Sequence, residues 1–207
     1  MTLPVPAKEE HIFSGWFDNA KFEGEPVTEI SATDTGDKEF WAKWTAIEYA
    51  FTIIAGEGGE IELGEDGMYA VETSISIIAK ALTGYVFKNW TATAGEFEDA
   101  SSASTTFTMP SGGAAVTAIF ERIPITSLRI DAAIIETVAR GWRYNFGVIV
   151  NEGAIADGIV WTIANPALAH VDEHGTVTIF ERTGTVVLMA TDPVSGLSNS
   201  IMLRIAS

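Results

Sequence analysis

The chain has 207 residues, 47% hydrophobic and only 19% charged, which suits one or two cores, or three small modules, and argues against disorder. Its 28 acidic residues against 12 Lys and Arg leave a net charge of −16, which disfavours a nucleic-acid surface and a polybasic membrane anchor, since both need basic patches. With no cysteine and no apolar run of the roughly 20 residues that span a bilayer, disulfide scaffolds, thiol catalysis, cysteine-bound zinc and membrane insertion are set aside.

In chain order, Met1 to Glu10 has no basic stretch followed by an apolar one, so no signal peptide is read there. If the protein is exported, its signal is expected outside this chain. Tyr49–Ala55, Thr73–Leu82 and Thr105–Met109 are short and rich in β-branched and aromatic residues, which predicts strands. Gly56–Gly59, Gly64–Gly67 and Ser111–Gly113 separate them as turns. Leu128–Ile130, Tyr144–Val150, Ile159–Ile163, Thr176–Phe180, Thr185–Ala190 and Ser200–Ile205 repeat the pattern. Helix signals are poor: over Ala132–Ala139 the residues Ile134, Ile135, Thr137 and Val138 favour a strand or an irregular edge. Strand signals at this spacing predict a mainly β fold ending in a β-sandwich.

Charge divides the chain. All six lysines precede residue 89 and all six arginines follow residue 121. The break falls near Glu121-Arg122-Ile123-Pro124, where proline can end a strand and stiffen a linker. Three modules are expected: 1–46, 47–121 and 122–207.

Each module carries a resemblance. Leu3-Pro4-Val5-Pro6, Phe13-Ser14-Gly15-Trp16 and Trp41-Ala42-Lys43-Trp44 follow the order found in the Listeria–Bacteroides repeat, the B-repeat of internalins. Glu10-His11 replaces the usual Gly-Tyr, and the opening strand of such a repeat is absent before Leu3. Residues 1–46 thus resemble the later part of one repeat. Gly58-Gly59, Gly84-Tyr85-Val86-Phe87-Lys88-Asn89-Trp90, Thr106-Phe107-Thr108-Met109-Pro110 and Val116-Thr117-Ala118-Ile119-Phe120 resemble a divergent B-repeat of bacterial surface proteins. Trp161, Asn165-Pro166-Ala167-Leu168-Ala169-His170-Val171-Asp172, Gly175-Thr176-Val177 and Gly184-Thr185 resemble the bacterial immunoglobulin-like domain of invasins and intimins. Phe180-Glu181-Arg182 departs from that pattern, where small residues are common. The resemblances imply β-grasp-like repeats followed by an immunoglobulin-like β-sandwich, with Trp161 in its core.

Residues with chemical potential read more simply as structural. His170 and His174 are four apart, but they flank Asp172 and Glu173 at a turn rather than on a helix, so no metal is expected. His11 stands alone where the repeat has an aromatic residue and is expected to pack on neighbouring rings. The pairs Glu9-Glu10, Glu65-Asp66, Glu98-Asp99 and Asp172-Glu173 show no sign of facing across a sugar cleft. Gly64-Glu65-Asp66-Gly67 and Glu96-Phe97-Glu98-Asp99 lack the alternating ligands of a calcium loop. There is no Gly-x-Ser-x-Gly elbow and no dinucleotide-binding glycine pattern between a strand and a helix. Trp16, Trp41, Trp44 and Trp90 could form a sugar-stacking platform, but strand placement favours core packing.

The resemblance implies non-catalytic stalk or adhesion modules of a bacterial surface protein, extracellular or secreted, with no cofactor. Its implied partner is a host surface protein or a glycan, met as a monomer or with weak self-association through an edge strand. The alternative is an accessory carbohydrate-binding or spacer module of a secreted polysaccharide-active enzyme.

Overall fold

The computed structural model describes residues 1–132 and 137–206, and every regular element in them is a β-strand. The expectation over Ala132–Ala139 falls partly on residues 133–136, outside the described residues; Thr137–Ala139 is a strand. The chain forms two compact units. One comprises Met1–Lys80 with Phe87–Ile119, the other Ala81–Val86 with Phe120–Ser207.

The first unit opens with β1 (His11–Phe17) and β2 (Trp41–Ala46), an antiparallel pair running from His11 opposite Ala46 to Phe17 opposite Trp41. A bulge lies between Phe13 and Gly15. Val27 bridges to Trp16, and Thr2 bridges to Glu29. Eight strands follow: β3 (Glu48–Ala55), β4 (Gly59–Leu63), β5 (Gly67–Ala70), β6 (Ser74–Ala81), β7 (Tyr85–Ala92), β8 (Glu96–Phe97), β9 (Ser104–Thr108) and β10 (Ala114–Arg122), with the last residue of β6, the first two of β7 and the last three of β10 falling in the second unit. They build two four-stranded sheets, ordered β5-β3-β10-β7 and β4-β6-β9-β8. Their first and last strands, β3 and β10, pair in parallel, from Ala114 opposite Phe51 to Ala118 opposite Ala55.

Alternation along these strands sends one side inward. In β3 the buried residues are Phe51 and Ile53; in β6 they are Ile75, Ile77 and Ala79. The two sheets meet across rings. Phe51 lies 5.5 Å from Phe107, Phe107 lies 5.1 Å from Phe97, and Phe97 stacks on Trp90 at 6.4 Å. The Trp90 indole donates from Nε1 to the Ser102 carbonyl at 3.0 Å, so its polar atom is satisfied inside the core.

The second unit holds nine strands: β11 (Leu128–Asp131), β12 (Thr137–Ala139), β13 (Arg143–Asn145), β14 (Gly147–Val150), β15 (Val160–Ala164), β16 (Ala169–Val171), β17 (Thr176–Ile179), β18 (Gly184–Thr191) and β19 (Ser198–Ala206). Their order is β12-β19-β18-β15 in one sheet, β13-β17-β16 in a second, and β11-β14 in a pair. Val186, Leu188, Leu203 and Ile205 from the first of these meet Ala169, Val177 and Ile179 from the second in one buried cluster. This is a β-sandwich whose core is aliphatic apart from the Phe146 ring.

Two expectations need correction here. Tyr144–Val150 is not one strand. β13 pairs with β17 and β14 pairs with β11, and Phe146 between them turns inward to 1% exposure. Its N–H donates to the Gly175 carbonyl at 3.1 Å. The chain changes sheets at this residue, and the inward ring fixes the corner. Trp161 is not in the centre of the core. It is half-buried and packs against the cluster from outside, because β15 is an edge strand and Phe146 fills the middle.

Candidate functional site

One member of each acidic pair that the sequence presents is hydrogen-bonded to a nearby turn or strand. In the 99–105 turn the Asp99 carboxylate accepts the Ser101 hydroxyl at 2.6 Å and the Ser101 N–H at 2.8 Å. These bonds hold its carboxyl below the usual range. Asp172 accepts N–H groups from Thr176 at 2.8 Å and His174 at 3.0 Å, which lower its pKa in the same way. Asp66 accepts the Ile53 N–H at 2.8 Å, and Glu10 accepts the Tyr49 hydroxyl at 2.8 Å. The Glu10 contact raises the Tyr49 pKa, because removing the phenolic proton would lose that bond. Each of these bonds fixes a turn or a strand.

The sequence did not single out Asp192, a carboxylate buried to 3% exposure. It closes the β18–β19 hairpin, accepting the Ser195 hydroxyl at 2.5 Å, the Ser195 N–H at 2.9 Å and the Val194 N–H at 3.3 Å. The Ser195 hydroxyl and these N–H groups hold its pKa down. The signal was present as Asp-Pro-Val-Ser-Gly, a turn composition.

The histidines remain separate. His170 lies in β16 and His174 in the following turn, with His174 Nε2 3.5 Å from its exposed neighbour Glu173. Among the described residues no group of three or more His, Asp or Glu is placed to hold a metal ion. His11 does pack on a ring, edge-on to Trp44 at 6.5 Å.

The tryptophans divide by setting. Trp90 is core, at 2% exposure. Trp16 and Trp44 are half-buried around Phe13, at 5.6 and 5.4 Å, and Trp16 Nε1 donates to the Pro4 carbonyl at 2.7 Å. Trp41 is exposed and lines a cleft of about 620 Å³ with Asp18, Glu29, Asp37 and Phe40. In the second unit Trp161 lines a cleft of about 530 Å³ with Phe146, Ile159, Glu173 and His174. An indole beside carboxylates can stack on a sugar ring while the oxygens take its hydroxyls. Both clefts offer ring surface and polar groups together.

Comparison with known proteins places part of the chain. Residues 49–124, just over a third of it, match the family described as the divergent InlB B-repeat domain. No curated protein shows significant similarity to the chain. Among solved structures, the chain is similar to the C-terminal 282-residue fragment of intimin in complex with the intimin-binding domain of the translocated intimin receptor. Identity is 17% and the TM-score 0.31, over 72% of this chain and 64% of the fragment. The chain thus spans less than two thirds of that fragment. Among the described residues, no helix is long and apolar enough to cross a membrane.

Proposed function

We propose that the chain is a set of non-catalytic modules of a bacterial surface protein, displayed outside the cell. The modules run 1–46, 47–121 and 122–207, and they carry or contribute to the binding of a host protein or glycan. The observation that carries this reading is the divergent B-repeat match over residues 49–124. The use of Asp66, Asp99, Asp172 and Asp192 as backbone locks supports it, since these groups are spent on shape rather than turnover.

Two measurements on the purified chain test the reading. Substrate profiling on sugars, esters and peptides is expected to give no turnover. Turnover that vanished on substituting one carboxylate or serine would overturn the non-catalytic assignment. A glycan array and a panel of immobilised host matrix proteins report binding. Glycan retention lost in both Trp41→Ala and Trp161→Ala would favour the second reading, an accessory carbohydrate-binding module of a secreted polysaccharide-active enzyme. The observation behind that reading is the pair of tryptophan-lined clefts.

A further inference from the structure

A sheet edge is a row of unpaired N–H and C=O groups, and proteins normally blunt it with charge, proline, a bulge or shortness. The first unit follows this rule at most of its edges. β5 has four residues and β8 two. β4 carries Glu60 and Glu62, and β7 carries Lys88. β1 has a bulge at Phe13/Gly15, and Val27 donates to its Trp16 carbonyl at 2.7 Å.

β2 is the exception. It has six residues, Trp-Ala-Lys-Trp-Thr-Ala, with no glycine or proline and a regular register from Trp41 to Lys43 and from Trp44 to Ala46. Its single charge is drawn onto rings, with the Lys43 ammonium 5.4 Å from the centre of Phe17 and 6.0 Å from that of Phe22. Among the described residues β2 has one partner strand, β1, so its other edge is open.

The strands β3, β7 and β10 show what such an edge takes. Phe13-Ser14-Gly15-Trp16 in β1 and Phe87-Lys88-Asn89-Trp90 in β7 share the Phe-x-x-Trp spacing. β7 lies beside β10 in antiparallel sense: the Ile123 N–H donates to the Gly84 carbonyl at 2.8 Å, and the Thr93 N–H to the Ala115 carbonyl at 3.0 Å. β1 lies beside β2 in the same sense. β2 therefore corresponds to β10. The edge of β10 turned away from β7 is filled by β3, in parallel.

We infer that the open edge of β2 docks one extended strand, added in parallel, with the alternating apolar pattern of β3. The donor is an extended segment of a separate partner polypeptide that carries this pattern. Among the described residues, strands of this pattern are already held in sheets, so a second copy has none of them free to give. Main-chain hydrogen bonds would supply the attraction and the alternate side chains the selectivity, as in other cases of strand addition.

The test adds a synthetic peptide with the sequence of Glu48–Ala55, flanked by lysines for solubility, to the intact chain at low protein concentration. Backbone NMR follows Trp41–Ala46 and, as an internal control, Ala114–Ala118. Saturable shifts in β2 and at least tenfold slower amide exchange there are expected, with β10 unchanged and a scrambled peptide inert. A spin label on the peptide N-terminus is expected to broaden Trp41 more than Ala46, the parallel sense. Absence of binding, binding elsewhere, the antiparallel sense, or β2-to-β2 dimers formed without peptide would each overturn the proposal. None of these outcomes bears on whether the modules are catalytic or bind a host ligand.

Discussion

Phe13-x-x-Trp16 and Phe87-x-x-Trp90 are one residue pattern in two settings. Trp90 is 2% exposed, stacked on Phe97, and bonded to the Ser102 carbonyl. Trp16 is half-buried and bonded to the Pro4 carbonyl. The difference lies in what surrounds the strand. β7 belongs to a four-stranded sheet that meets a second four-stranded sheet through Phe51–Phe107 and Trp90–Phe97 contacts. β1 has one partner strand and the short Val27 bridge. Strand alternation selects the face a ring occupies, and a second layer decides whether that face is core.

Deleting the two rings is expected to separate the settings most. Trp90→Ala is expected to cost about 3–5 kcal/mol, the range for a large ring lost from a closed core. Trp16→Ala is expected to cost roughly 1–2 kcal/mol, since only part of its surface leaves water on folding. Denaturant unfolding of both variants checks this, and equal losses would mean that β1 has a complete core of its own. The second unit offers the same contrast between centre and rim. Phe146→Ala is expected to lose about 3–5 kcal/mol, and Trp161→Ala clearly less, because the ring covers the edge strand β15 rather than the centre. A reversed order would return Trp161 to the core.

Two glycines differ in the same way, one against the core and one in open space. Gly95 and Gly24 both have left-handed backbone, at φ +88° and +85°. A Cβ on Gly95 would lie 2.4 Å from Phe107 Cζ, whereas one on Gly24 would meet nothing within 4 Å. Gly24→Ala should therefore lose about 1–2 kcal/mol from the backbone alone. Gly95→Ala adds overpacking of about 1–3 kcal/mol, read as the difference between the two melting shifts.

Amide exchange should separate the regions without mutation. Trp41–Ala46, with one partner strand, is expected to exchange faster than Ala114–Ala118, which lie between β3 and β7. The smallest effect is on pH. The Asp99 carboxyl has a folded pKa below its unfolded value of about 3.9. Its contribution is therefore fully present above the unfolded value and is lost as pH falls through the folded one. Asp99→Asn should thus be less stable than the parent at neutral pH, with the gap closing on acidification below about pH 4. A gap independent of pH would show that the Asp99 lock acts through shape alone.

Much of the fold was legible because strand formation here is local. Alternation and turn glycines located most of the expected strands within a residue or two, including β3, β6, β15, β17 and β18. Asn165-Pro166 closes β15, and Gly184-Thr185 opens β18. The order of motifs over 47–121 anticipated the repeat that matches residues 49–124. Of the two clefts, the sequence offered the tryptophans but not the exposure that distinguishes Trp41 and Trp161 from Trp90.

Composition and local pattern by themselves determined that this is an all-β chain, where its turns fall, and which acidic residues stand at those turns. Tertiary structure alone decided that β3 and β10 pair in parallel, as do β12 and β19. It also decided that the chain changes sheets at Phe146, that Asp192 is buried, and that Trp161 is a rim residue. The physical reason is range. A side chain's preference for a strand or turn is set by its own backbone and immediate neighbours. Its burial is set by which strands, 60 or more residues apart, come to lie on either side of it, as Phe51 and Ala114 do.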